Sequence, residues 1–320
     1  MSPAPQSMPR SFTVSAIIPL HNKVDQIRAT LKSVINQDFL AAEIIVIDDG
    51  STDGSIASIH DLVEGKVRLL CQSNQGPGVT RNHGAAEATG DWLAFLDADD
   101  LWRPNHLSSL ARLHAAFPHA NVLVSNHDRA THGEPMNLES PTCSSDSGRI
   151  LDFMNDPKCH ARVNSSVIAI RRAVFEGHGG FATFCPGEDT DLWFRLGLDT
   201  VFAISECPTV IIVRGTGGIM DQLDNRQRLG FQLPELFETI DGAITGARTP
   251  SDAQCIRNYR DVLLRRSIIQ ALYRGESDVA RILFKSMSGT TRPRDIFLRL
   301  LSWLPAGVVR QIVRLRSILS

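Results

Sequence analysis

Short apolar runs rich in Val and Ile recur through the first 130 residues, each followed by a stretch whose apolar positions fall three and four apart. Continuous apolar runs suit strands covered on both faces, and the three-four spacing suits amphipathic helices, so the alternation predicts βαβ units and a mostly parallel sheet. Strands are expected at Thr13 to Pro19, Glu43 to Ile47, Val67 to Cys71, Trp92 to Leu96 and Val122 to Ser125. Helices are expected at Val24 to Asn36, Ser55 to Val63, Pro77 to Ala88 and Pro104 to Phe117, the last two opening on a proline whose fixed φ suits a first turn. Residues His127 to Gly148 are polar and rich in Ser, Thr, Pro and Gly, which reads as a long loop beside the sheet. A second apolar segment, Asn164 to Ile170, leads to the turn Gly177-His-Gly-Gly180. Beyond it a helix beginning near Glu188 is expected to bury Leu192, Phe194, Leu196 and Leu198, followed by a strand at Thr209 to Val213. From about residue 220 the pattern is helical only, including Ile256 to Tyr273 and Val279 to Ser286. The organisation expected is a disordered lead-in over 1–12, an α/β domain over 13–220 and a helical region over 221–320.

Polar residues gather where those strands end. The run Trp92-Leu-Ala-Phe-Leu-Asp97-Ala-Asp99-Asp100 closes a buried strand with three carboxylates. On an extended backbone Asp97 and Asp99 alternate onto one side and would meet a bound group together, and a hard divalent cation shared with a diphosphate would neutralise them. An acidic turn before the helix at Pro104 explains an isolated Asp-x-Asp equally well. The first strand ends in Pro19-Leu-His-Asn22-Lys23 and the second in Asp48-Asp49-Gly50-Ser51-Thr52-Asp53. Parallel strands open onto one edge, where open α/β sheets bind ligands, so these tips belong to one rim. Asp49 suits a base ring N–H, whereas Ser51 and Asp53 are explained as turn and cap residues. The segment Asn74-Gln-Gly76-Pro-Gly78-Val-Thr-Arg81-Asn82 sets a glycine-bearing loop at a helix start, with Arg81 one turn in, suited to a base or phosphate. In Gly187-Glu188-Asp189-Thr190-Asp191, acids crowd a helix start; a helix dipole favours them there, and so would a catalytic base approached by a hydroxyl.

Composition narrows the field. The net charge of −2 gives no electrostatic footprint for nucleic acid. Neither G-x-G-x-x-G nor G-x-x-x-x-G-K-[ST] occurs; Arg81 stands where the third glycine of the first would fall. The six cysteines form no Cys-x-x-Cys pair, which reads as reduced thiols in a cytoplasmic setting. The lead-in lacks the apolar core of a secretory signal, and no stretch approaches the roughly 18 apolar residues of a membrane span. From Thr291 to Ser320 six arginines interleave with apolar residues against the single acid Asp295. That is a basic amphipathic tail, read either as a helix on an anionic membrane surface or as terminal helices packed on the protein's own core.

Taken in order, Ser15-Ala-Ile-Ile-Pro19-Leu-His-Asn22, Ile45-Val-Ile-Asp48-Asp49-Gly50-Ser51-Thr52-Asp53, Asn74-Gln-Gly76 with Arg81-Asn82, Leu96-Asp97-Ala-Asp99-Asp100 and Gly187-Glu188-Asp189-x-Asp191-Leu192-Trp193 resemble the successive motifs of family 2 glycosyltransferases of the GT-A fold. The resemblance covers roughly residues 13 to 215. It implies a nucleotide-binding, mostly parallel sheet flanked by helices, with a helical C-terminal appendage. It also implies inverting transfer of a sugar from a nucleoside-diphosphate donor, UDP foremost, to a glycan or lipid-linked acceptor in envelope or extracellular glycan synthesis. Such an enzyme would work in the cytoplasm, in contact with the inner membrane face through the tail.

By the same resemblance Pro19, Asn22 and Asp49 lie on the nucleotide side, with Pro19 and Asp49 against the base; Arg81 contacts the nucleotide and Asp97 the ribose. Asp99 ligates Mg²⁺ or Mn²⁺, and Asp189 is the general base with Glu188 supporting it. One departure stands out: many members carry a histidine after the last sheet strand, whereas here the segment reads Arg214-Gly-Thr-Gly217, with Arg214 or water in that role. The competing readings are a sugar-1-phosphate nucleotidyltransferase, whose N-terminal Gly-rich basic loop is missing at Pro19-Leu-His-Asn22, and a nucleotide-sugar or glycan binding module without turnover.

Overall fold

The Val/Ile runs of the N-terminal half form one side of a single nine-stranded sheet, and all seven residues of the second strand are buried, as in a parallel strand covered by helices on both faces. The computed structural model describes residues 12–63, 65, 67–141, 148–156, 162–217, 234–287, 293–304 and 307–309. The chain divides into two compact units, 1–218 and 219–320.

In the first unit the chain runs β1 (Val14–Leu20), α1 (Ile27–Ile35), β2 (Glu43–Asp49), α2 (Ser55–Ile59), β3 (Val67–Gln72), α3 (Pro77–Ala86) and β4 (Trp92–Phe95). These strands pair in parallel in the order β3-β2-β1-β4. The sheet continues through β5 (Leu101–Trp102), α4 (His106–Ala116), β6 (Val122–Thr131), β7 (Arg149–Leu151), β8 (Ile168–Arg171), α5 (Arg172–Gly177), α6 (Glu188–Gly197) and β9 (Phe202–Arg214). Beyond β4 the spatial order is β8-β6-β9-β5, with β7 also on β9. β8 is antiparallel to both β4 and β6, whereas β6 and β9 run parallel.

Four local expectations are corrected. Residues His127 to Thr131, read as loop, continue β6 against Val210 to Arg214; long-range pairing overrides their polar composition. β9 is 13 residues long because Pro208, which interrupts the pattern, lies opposite Asn126 at a register shift, where a missing N–H costs little. Leu198, just past the end of α6, is 43% exposed, and Trp193 within the helix is buried in its stead. Cys207 is disulfide-bonded, so the six thiols are not all reduced and the compartment argument drawn from them does not hold.

The second unit consists, over its described residues, of helices α7 (Pro234–Thr245), α8 (Pro250–Arg274), α9 (Ser277–Lys285) and α10 (Pro293–Leu301). Thr249 and Asp252 cap α8 reciprocally, and Gly275 ends it in the left-handed region. Leu264, Ile268, Leu272, Leu283, Leu298 and Leu301 form its core, beside a buried Asp295 that accepts two bonds from Arg265. In the described part of the tail Leu298, Leu301 and Val309 are buried while Ile296, Leu300 and Trp303 face solvent; the arginines at 310, 314 and 316, like residues 1–11 of the lead-in, lie outside the described residues. No helix among the described residues is long and apolar enough to cross a membrane.

Candidate active site

The loops after β1 and β2 are stitched together at the carboxyl edge of the sheet. Asn22 adopts φ 49°, a left-handed conformation that asparagine tolerates, and donates its backbone N–H to Ser51 Oγ at 3.0 Å while its Oδ1 accepts Thr52 N–H at 2.8 Å. Asp53 accepts the N–H groups of Val24 and Ser55, each at 2.9 Å, as the cap and turn reading requires. Pro19, half-buried, sits in register with Ile47 directly below this rim.

Asp49 is buried at the end of β2. Its Oδ1 accepts from Gln72 Nε2 at 2.8 Å and Gln75 N at 2.9 Å, and its Oδ2 from Gly76 N at 2.9 Å. The carboxylate thus shapes the loop that starts α3 and, of its roughly four lone-pair sites, retains about one.

One turn into α3, Arg81 is buried over the face of Phe181, 5.2 Å from the ring centroid. Its guanidinium forks between two distant carboxylates, Asp97 Oδ1 at 2.6 Å and Glu188 Oε1 at 3.1 Å. Burial favours the neutral form, but Asp97, Glu188 and Asp189 hold the guanidinium firmly charged. The neighbouring Asn82 exchanges two hydrogen bonds, both 2.8 Å, with the backbone of Phe181. Gly78 permits the approach: a Cβ there would lie 2.5 Å from Ala182 O and 3.0 Å from the Glu188 side chain.

Burial, reinforced by the charge of Asp189, pushes the Glu188 carboxyl above its usual range, with Arg81 opposing the shift. Asp189 is half-exposed and accepts Thr190 N–H at 2.5 Å. Asp191 is a brace, not a reactive group: it accepts Arg195 Nε at 2.8 Å, and Arg195 also reaches the carbonyls of His178 and Gly180. Cys185, exposed at one side, lies against the same acids; partial burial first, then Glu188, pushes its thiol up to about 12.

The three carboxylates after β4 have separate fates, because the strand stops at Phe95 and Asp97 to Asp100 form a turn closed by Asp100 N–H to Asp97 O at 3.0 Å. The extended alternation expected of Asp97 and Asp99 is therefore replaced by a turn that aims them apart. Asp97 faces Arg81, whereas Asp99 Oδ2 accepts Lys23 Nζ at 2.7 Å and Thr216 Oγ at 2.6 Å. Asp100 turns inward, accepting Ser166 Oγ at 2.5 Å and Val213 N at 2.9 Å. Burial, then the charges of Asp97 and Asp99, hold its carboxyl well above the usual range.

Among the described residues no group of three or more His, Cys, Asp or Glu side chains could hold a metal by itself. Asp99 nevertheless fits a hard cation: an ammonium already contacts its oxygen, and a divalent ion that completes its shell from a diphosphate and water needs few protein ligands. Arg214, expected at the position of the missing histidine, is exposed at the end of β9, and Thr216 meets Asp99 instead. Two residues at Asp99, Lys23 and Thr216, have no role among the sequence motifs. Lys23 was findable as a cation one position after Asn22 on an acidic rim; Thr216, 117 residues from Asp99, carried no signal.

A family model described as glycosyl transferase family 2 matches residues 15–178. YibD of Escherichia coli, described as an uncharacterized glycosyltransferase, is 46% identical over 99 residues, 30% of this chain and 29% of its own length. A GalNAc(5)-diNAcBac-PP-undecaprenol beta-1,3-glucosyltransferase of Campylobacter jejuni is 23% identical over 314 residues, 95% of this chain and 97% of that one. The first curated relatives are matched over only 29 to 52% of their length. Among solved structures, S. aureus TarS with UDP-GlcNAc aligns over 94% of this chain and 91% of its own at TM-score 0.65 and 18% identity. The mannosyltransferase PcManGT from Pyrobaculum calidifontis, with GDP-Man and Mn²⁺, aligns over 94% and 84% at TM-score 0.58 and 18% identity. These likenesses fix the fold as GT-A. Since the family model spans the strands and loops that carry Asn22, Asp49, Arg81, Asp97 and Asp99, the chain belongs to glycosyl transferase family 2.

Proposed function

We propose that this chain is an inverting hexosyltransferase that moves a sugar from a nucleoside-diphosphate donor, UDP foremost, to a hydroxyl of a glycan or lipid-linked acceptor with the aid of Mg²⁺ or Mn²⁺. The observation that carries the reading is the Arg81 fork, which ties the acid after β4 to the acids opening α6 and so joins a donor side to an acceptor side. Pro19, Asn22 and Asp49 frame the nucleoside, with the remaining lone pair of Asp49 for a base N–H, and Asp97 holds the ribose. Arg81 steadies Asp97 and stands on the nucleotide side of the site.

Asp189 takes the proton of the acceptor hydroxyl, its oxygen attacks the anomeric carbon, and the bond from that carbon to the diphosphate breaks on the opposite face. Glu188, buried on Arg81, keeps the first turn of α6 in place. A divalent cation on Asp99, when bound, supplies charge stabilisation to the departing diphosphate. UDP-GlcNAc on TarS and GDP-Man with Mn²⁺ on PcManGT support the donor class, and the undecaprenol-linked substrate in the name of the C. jejuni relative supports the acceptor class. A lipid-linked acceptor is met at the cytoplasmic face of the inner membrane, where the exposed Ile296, Leu300 and Trp303 offer peripheral contact.

A panel of UDP-, GDP- and dTDP-sugars with Mn²⁺, read by thermal stabilisation and by slow release of nucleotide, tests the reading. UDP-sugars are expected to stabilise and to be hydrolysed; no effect from any donor overturns it. Asp189→Asn is expected to keep donor affinity and to lose about a hundredfold or more in transfer, as removal of a general base does. Lost affinity with turnover retained would reassign Asp189.

A further inference from the structure

One charge at the rim has no role in the proposed reaction. Lys23 stands immediately after the Asn22 brace, its side chain only 11% exposed. Its Nζ donates to Asp99 Oδ2 at 2.7 Å and to the Thr216 carbonyl at 3.1 Å, and the Thr216 hydroxyl donates to the same Asp99 oxygen at 2.6 Å. One carboxylate oxygen, on the residue proposed to hold the metal, is thus taken by an ammonium and a hydroxyl at once. An ammonium and a divalent ion cannot share one oxygen at contact distance without strong like-charge repulsion. A buried ammonium displaced from its partner needs another anion close by, since stranding it unpaired is costly.

We propose that Lys23 is a second cation of the donor site, which neutralises Asp99 in the donor-free protein and passes to the donor's diphosphate when the metal takes Asp99. The inference rests on the donor reading above. Its charge balance closes: the diphosphate of a nucleotide sugar and Asp99 together carry one negative charge more than a divalent ion neutralises, and Lys23 supplies the difference. The consequence is linkage. Metal alone must displace Lys23 with nothing to receive it, and nucleotide alone meets an ammonium already engaged, so each binds better in the presence of the other.

Calorimetric titrations of Mn²⁺ alone, and of UDP, GDP and dTDP at saturating Mn²⁺, test this on the full chain, with Asp99→Asn marking which Mn²⁺ binding belongs to the site. Lys23→Met is expected to tighten Mn²⁺ binding without nucleotide by about tenfold or more, as loss of a competing charge at contact distance requires. In the same variant UDP affinity at saturating Mn²⁺ is expected to fall by about tenfold, the loss of one charge-assisted bond. Lys23→Arg keeps the charge and is expected to stay near the wild type on both. A merely structural lysine would weaken both together, and that result, or an unchanged Mn²⁺ affinity, overturns the proposal. Should Lys23→Met fail to fold, Thr216→Val removes the other donor to Asp99 and is expected to tighten Mn²⁺ as well; no change there overturns it equally. If the wild type with Mn²⁺ binds none of the three nucleotides, the donor reading fails and takes this proposal with it. If it binds one and Lys23→Met alters neither affinity, the donor reading stands and this proposal alone is lost.

Discussion

Asp97, Asp99 and Asp100 are near neighbours in sequence with unlike chemistry, and the difference is set by what each meets. Asp97 is paired to a buried guanidinium, Asp99 to an ammonium at the rim, and Asp100 to a hydroxyl and a backbone N–H inside the sheet. A carboxyl held above its ordinary range is penalised whenever it must ionise, so Asp100 weakens the fold as pH rises past the unfolded value. Asp100→Asn removes that penalty while keeping the polar contacts. It is expected to leave stability at neutral pH unchanged within about 1 kcal/mol, or to raise it. Metal-dependent stabilisation by UDP is expected to survive in Asp100→Asn and to vanish in Asp99→Asn. Thermal unfolding with and without Mn²⁺ and UDP separates the two, and equal losses in both would show that the acids act as one cluster. Three adjacent acids were legible in the sequence; the division of labour among them was not, because it depends on Ser166, Arg81 and Thr216, brought in from elsewhere in the chain.

The site at the scale of elements is the meeting of α3 with the start of α6. Neither helix start is unusual alone: α3 opens on a glycine and Pro77, and α6 opens on acids after Gly187 in the left-handed region. Their approach depends on Gly78, the only residue type whose lack of a Cβ lets the backbone of Ala182 and the side chain of Glu188 come this close. Gly78→Ala must push the segments apart and is expected to cost roughly 1–3 kcal/mol, the range typical of overpacking. Transfer should fall further than stability explains, since the Arg81 fork spans the same gap. Denaturant unfolding beside kcat at a temperature where the variant is folded checks this; a variant as active and stable as the wild type would mean that the contact is slack. The glycines at 76 and 78 read as a loop signature, and the partner that makes Gly78 necessary lies about a hundred residues downstream.

For the whole molecule, buried imidazoles couple stability to pH. His106 packs on Trp102, bonds Thr209 Oγ at 2.8 Å and is driven by burial to a pKa of about 3; His114 and His127 are lowered by burial as well. Between about pH 3 and the ordinary histidine value the unfolded chain binds the extra proton, so stability is complete above that value and is lost as pH falls through this window. His106→Gln is expected to flatten this acid limb, and an unaltered pH profile would mean that burial does not lower the His106 pKa below its ordinary value. In the second unit, exposed Ile296, Leu300 and Trp303 predict binding to anionic vesicles, reduced in Leu300→Glu with Trp303→Glu; vesicles that never retain the wild type would remove the membrane contact. The strand and helix alternation, the shared rim and the glycosyltransferase family were all legible from the chain, because period, turn residues and motif order are local properties written along it. Only distant contacts in the folded chain set the pairing of polar residues 127–131 as a strand, the fork of Arg81 between Asp97 and Glu188, and the hold of Lys23 and Thr216 on Asp99. Each of those depends on which distant group occupies the neighbouring space, and no spacing along the sequence encodes that.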